Sequence, residues 1–98
     1  MKSRLLALLL PAILAACATS GAPVYTIEAG FFGNFREAQA RAGEVKQILG
    51  NSRTEGNLIN RQAVYRVFTG EYPSPRDAAE DLAKLQKAGI PARVTAKR

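Results

Sequence analysis

The chain is one unit written twice, at an offset of forty residues. Setting Tyr25 against Tyr65 brings Ile27, Gly30, Phe32, Arg36, Glu37 and Ala38 into register with Val67, Gly70, Tyr72, Arg76, Asp77 and Ala78. Self-similarity at a fixed period marks a repeated supersecondary unit, and one unit cannot bury its own apolar face. Whatever one copy folds into, the other must match and cover.

Each copy opens on an alternating segment, Tyr25 to Ala29 or Tyr65 to Thr69, which reads as a strand. Gly30 and Gly70 are expected to close these strands where the chain bends. Asn34 and Ser74 then stand as helix N-caps, with Glu37 and Asp77 three residues on, close to a capping box. Pro75 suits a first helical position. Helices are therefore expected from near residues 35 and 75. Their apolar stripes are Ala38, Ala42, Val45 and Leu49 in one and Ala78, Leu82 and Leu85 in the other, spaced by threes and fours. Small alanines at the head of each stripe let a helix sit close to a sheet. The charged opposite faces, with Arg36, Arg41 and Lys46, then Arg76, Glu80, Asp81, Lys84 and Lys87, are solvated surface.

Between the copies, Gly50 and Asn51 end the first helical pattern, and Ser52 to Ile59 runs extended to a turn at Asn60 and Arg61. Gln62 to Thr69 returns as the hairpin partner. After Gly89 and Pro91, Ala92 to Ala96 alternates as a last strand. The order βαββαβ is the α+β, ferredoxin-like split βαβ arrangement: a four-stranded antiparallel sheet with two helices on one face and the other face open. Alternation turns Tyr25, Ile27, Tyr65 and Val67 toward the helices, with Phe32 and Tyr72 also in the core. Thr26, Glu28, Arg66 and Phe68 then project from the open face, joined by Arg93 and Thr95 from the last strand. That mixture suits a sugar polymer, because an aromatic face covers C–H patches while Thr, Glu and Arg bond hydroxyls and amides.

Ahead of the repeat, Lys2 and Arg4 precede an apolar run from Leu5 to Leu14 and the small pair Ala15 and Ala16, the pattern of an export signal. The run falls short of the roughly 20 apolar residues needed to cross a bilayer core, and Pro11 disturbs a spanning helix. Leu14, Ala15 and Ala16 lead into Cys17, the single cysteine, and this resembles the bacterial lipobox. The resemblance implies cleavage before Cys17 and lipid on its thiol and new amine; stable anchoring needs more than one acyl chain, and a lone thiol in an exported protein has no disulfide partner. Ala18 and Thr19 lack the acidic residue that commonly retains such lipoproteins in the inner membrane, so the expected location is the periplasmic face of the outer membrane. The expected organisation is a leader at 1–16, lipidated Cys17 with a connector to residue 23, and one domain from 24 to 98. Residues 18 to 24 reach at most roughly 25 Å, which holds the domain near its membrane.

Composition then removes function classes. The leader takes two of the fourteen Lys and Arg and none of the eight acids, so the net charge falls from +6 to +4, a modest excess that suits anionic envelope material. With no histidine and one cysteine committed to lipid, neither an ordinary zinc site nor a Cys/His nucleophile can be assembled. No cofactor is implied. Glu28 and Glu55 show no paired arrangement for glycan cleavage. RNA-recognition modules share the topology, but export and the missing Lys/Arg-Gly-Phe/Tyr-Gly/Ala-Phe-Val-x-Phe/Tyr pattern argue against nucleic acid.

Taken in order, YTIEAGFF from Tyr25, YRVFTGEY from Tyr65, SPRDAA from Ser74 and KAGIPARV from Lys87 resemble the SPOR domain, a peptidoglycan-binding module of bacterial envelopes, over residues 24 to 96. The resemblance implies a non-catalytic domain that binds glycan strands lacking stem peptides, material that amidases produce at division sites. Contact is expected through the open-face residues that alternation assigns, Thr26, Glu28, Arg66, Phe68, Arg93 and Thr95, and the resemblance adds Phe31. Where the family's first strand often has Gln and then Gly-Ser, at positions associated with glycan contact, this chain has Glu28 and then Gly30-Phe31; a carboxylate accepts hydrogen bonds but offers no amide donor. Removal of the peptide leaves a lactyl carboxylate on each muramic unit, which Arg66 and Arg93 can pair with. The alternative is a protein-interaction module docking a cell-envelope or division protein, and Glu28 and Phe31 are the features that favour it.

Overall fold

A computed structural model describes residues 23–97. The leader, Cys17 and the connector as far as Ala22 lie outside the described residues, as do the readings attached to them. The elements are β1 (Val24–Phe32), α1 (Phe35–Leu49), β2 (Arg53–Ile59), β3 (Gln62–Tyr72), α2 (Pro75–Lys87) and β4 (Arg93–Lys97). The strands form one sheet in the order β2-β3-β1-β4, every pair antiparallel. Each copy of the repeat thus supplies one central strand and one helix.

Both helices start at the side chains the sequence marks. Asn34 accepts a hydrogen bond from the Glu37 N–H at 3.1 Å and Ser74 from the Asp77 N–H at 3.2 Å. Each bond satisfies one of the free N–H groups of a first turn, a contribution of about 1 kcal/mol. Ala38, Ala42, Val45, Ala78 and Leu85 pack on Ile27, Ala29 and Val67 of the central strands, with Leu49 and Leu82 at the margin. Burying Ile27, Val45, Val67 and Leu85 completely contributes about 1.5–3 kcal/mol each. Ile90 joins this core because its N–H reaches back to the Leu85 carbonyl at 3.0 Å as α2 ends. Among the described residues no helix is long and apolar enough to cross a membrane.

The central strands depart from the sequence expectation at their glycines. Gly30 and Gly70 do not close β1 and β3; each lies inside its strand at positive φ, 135° and 72°. On β1, three steps from Glu28 to Phe31 oppose two on β3 from Phe68 to Arg66; on β3, three steps from Thr69 to Tyr72 oppose two on β1 from Ile27 to Tyr25. Each copy therefore carries a β-bulge, an extra residue that shifts the alternation by one. Beyond the bulges Phe32 and Tyr72 pack against the core on the helix side; a Cβ on Gly70 would run into the Tyr72 ring, and one on Gly30 would crowd Arg41 and the Phe32 ring at 3.0–3.1 Å. The residues between, Phe31 and Glu71, are turned to the open face.

Candidate functional site

The pairing registers lay the open face out in rows. Arg93, Glu28, Phe68 and Arg53 stand directly opposite one another across β4, β1, β3 and β2. The next row toward the hairpin is Phe31, Arg66 and Glu55. On the other side Thr26 faces Thr95. Together these positions line a groove of about 330 Å³ that also takes in Lys97 and excludes Phe31.

Alternation assigned these side chains to the correct face but not to the correct depth. Thr26, Glu28 and Phe68 retain 1%, 8% and 8% of their exposure, so they form a floor and do not project. Arg53 accounts for much of that cover: its guanidinium lies 5.1 Å from the centre of the Phe68 ring, a cation–π contact, and Nη2 donates to Thr26 Oγ1 at 3.3 Å. The Phe68 ring is consequently not an open stacking platform. The Thr26 hydroxyl serves the fold, donating to the carbonyls of Thr69 and Gly70 at 3.0 and 2.8 Å where β3 bulges. Thr69 and the Gly70 N–H are held from the other face by Asn51 at 2.7–3.0 Å.

The groove's cations differ in their commitments. Arg93 donates to Glu28 Oε1 at 3.0 Å, Arg53 to Glu55 Oε2 at 3.2 Å, and Lys97 pairs with Glu71. Lys97 holds the Glu71 carboxyl below the usual carboxylate range. Arg66, half-buried between Phe31 and Glu55, makes no ion pair among the described residues. It is the cation left for a ligand anion, whereas Arg93, expected to share that task, is already engaged by Glu28.

Phe31 stands apart from the groove, 61% exposed beyond the Glu28–Arg93 pair. Four groove residues, Arg53, Glu55, Ala96 and Lys97, lie outside the sequence-predicted set. The signal for two of them is in the hairpin: a two-residue turn at Asn60 and Arg61 forces Glu55 opposite Arg66 and Arg53 opposite Phe68. Lys97 falls one residue past the expected end of β4.

The sequence matches the model of the SPOR domain over residues 21–95. The chain belongs to the SPOR domain family. Two solved structures share the fold. The solution structure of the peptidoglycan binding domain of the B. subtilis cell wall lytic enzyme CwlC superposes with a TM-score of 0.62 at 22% identity, over 81% of this chain and 95% of that one. The crystal structure of the RlpA SPOR domain from Pseudomonas aeruginosa gives 0.65 at 18% identity, over 76% and 97%. No curated protein matches the chain in sequence. In this SPOR domain each copy of the repeated unit supplies one bulge and one helix, whereas the groove on the other face draws different residues from the two copies.

Proposed function

We propose that this SPOR domain is a non-catalytic peptidoglycan-binding module that takes glycan strands lacking stem peptides across the open face of its sheet. The observation that carries the reading is Arg66: a half-buried guanidinium in a polar groove, without an ion-pair partner among the described residues. A strand stripped of peptide offers a lactyl carboxylate at each muramic unit, and guanidinium–carboxylate pairs are among the strong, directional hydrogen bonds. An amidated lactyl group on an intact strand offers no such charge. Family membership and the likeness to the peptidoglycan binding domain of CwlC support the ligand class.

The anchor belongs to the same proposal. Lipid on Cys17 would fix the protein to the periplasmic face of the outer membrane, with residues 18–23 as a tether of at most roughly 20 Å. The register sets β1's first residue, Val24, beside Lys97, at the end of the sheet away from the Asn60–Arg61 turn. The hairpin then points away from the tether. Such a protein joins membrane to wall at division sites, where stripped strands are produced.

Sedimentation with purified sacculi tests the reading. Retention that rises after amidase treatment supports it, and equal retention with or without treatment removes the preference for stripped strands. The second reading, a docking module for an envelope or division protein, draws on the exposed Phe31 together with Leu58 and Ile59 near the hairpin tip. Absence from the sacculus pellet, with one defined protein partner recovered instead, would favour it.

A further inference from the structure

The Glu28–Arg93 pair is a partition. On one side lies the groove; on the other is a shallower depression of about 270 Å³, walled by Phe31, Pro91 and Ala92, floored by Gly30 and rimmed by the same Glu28 and Arg93. We propose that this depression is a subsite for the acetamido group of a hexosamine, set beside the groove by the β1 bulge. The proposal rests on the sugar reading of that groove.

The argument starts from an incomplete hydrogen-bond set. The Glu28 side chain keeps 9% of its exposure, and of its two oxygens only Oε1 is bonded, to Arg93 Nη2; Oε2 accepts nothing among the described residues. A carboxylate has acceptor capacity only, so the ligand must bring a donor. Beside it the Arg93 side chain is 71% exposed, with one N–H used on Glu28 and no other side-chain hydrogen bond among the described residues. An acceptor and a donor held side by side match the N–H and C=O of one amide. The remaining wall is apolar: Phe31, Pro91 and Ala92 offer carbon to whatever the amide carries. A methyl group completes the fit.

Other sugar substituents fit less well. A hydroxyl satisfies Glu28 but leaves the Phe31 wall against water. A free amine brings a second cation against Arg93. Phe31 reaches this position only because the bulge at Gly30 turns it onto the open face, opposite Arg66.

The test uses soluble glycan strands from amidase-treated sacculi, chemically de-N-acetylated and then re-acylated with either acetyl or formyl groups. Both products are neutral amides, and neither carries peptide, so the sugar is the only source of the amide; they differ by one methyl. Burying that methyl against Phe31 should make the acetyl strands bind about fourfold tighter to the full-length protein. Phe31→Ala should abolish the preference while still binding, and Leu58→Ala, which trims a side chain 76% exposed on the helix side of the hairpin, should keep it. Equal affinity of the native protein for the two strands, or a preference that survives Phe31→Ala, would overturn the subsite and leave the sugar reading intact. No binding of either strand by the native protein would overturn both.

Discussion

Glu28 on β1 and Arg93 on β4 stand directly opposite each other, and the nearly buried carboxylate takes its single hydrogen bond within the described residues from the largely exposed guanidinium. The two partners therefore carry unequal risk. Removing Arg93 strands a carboxylate that water cannot fully reach, whereas neutralising Glu28 leaves an arginine free to hydrate.

Arg93→Ala is expected to lower unfolding stability by about 1–3 kcal/mol, the cost of an unsatisfied buried polar group. Glu28→Gln, which keeps an oxygen acceptor and removes the charge, is expected to cost less than about 1 kcal/mol. In the double variant most of the Arg93→Ala loss should be recovered. Urea unfolding of the four proteins closes the cycle, and additive losses would show that the pair is not coupled.

Arg66→Ala should weaken binding to amidase-treated strands by about tenfold, the scale of one charge-assisted hydrogen bond. Its urea midpoint should not move, because Arg66 makes no ion pair among the described residues that folding relies on. Added salt should weaken the native protein more than the variant. A binding isotherm at two ionic strengths reads both effects, and unchanged affinity in Arg66→Ala would remove the lactyl contact.

The bulges predict which glycines are replaceable. At Gly70 the backbone is at φ 72° and a Cβ would run into the Tyr72 ring. Gly70→Ala therefore combines a disfavoured conformation with displacement of a core aromatic, and should cost about 2 kcal/mol or more. Gly33, after β1, has open space around it and no positive φ, so Gly33→Ala should stay within about 0.5 kcal/mol of the native protein. Thermal midpoints separate the two.

These same glycines mark where the sequence stops being legible. The repeat, the caps at Asn34 and Ser74 and the apolar stripes are local signals, and they were sufficient for element order, topology and the identity of the open face. A glycine after an alternating run reads equally as a strand end or a bulge, and the difference lies in the φ it adopts inside a paired strand. The strand-end reading stopped β1 at Ala29 and gave Phe31 no assigned direction. Depth was illegible for another reason. Period-two alternation assigns a face, but the guanidinium of Arg53, its cross-strand partner on β2, lies over the Phe68 ring, and long cationic stems cover neighbours in a way no local pattern records. The register that brings Arg53 there was legible, since the Asn60–Arg61 turn fixes it.

Tyr72 gives a test at high pH. Its hydroxyl donates to Asp81 Oδ2 on α2 at 2.7 Å, and burial together with the neighbouring carboxylate raises its pKa above the ordinary value of 10.0. The folded state thus holds the phenol proton more tightly than the unfolded chain does. For a group shifted upward, the stabilising contribution is complete below the unfolded pKa and is lost as pH rises from there through the folded pKa. The native protein should therefore lose stability progressively above about pH 10. Tyr72→Phe should cost about 1–2 kcal/mol at neutral pH through the lost hydrogen bond and should lack the part of the alkaline decline that comes from this phenol. The repeat supplies a control, because the equivalent positions in the first copy are Phe32 and Arg41, where the guanidinium sits 5.4 Å from the ring centre and no phenol is present to titrate. Thermal midpoints of Tyr72→Phe and the native protein, measured from pH 7 to 11, should converge as pH rises; parallel curves would remove the Tyr72–Asp81 bond as the source of the decline.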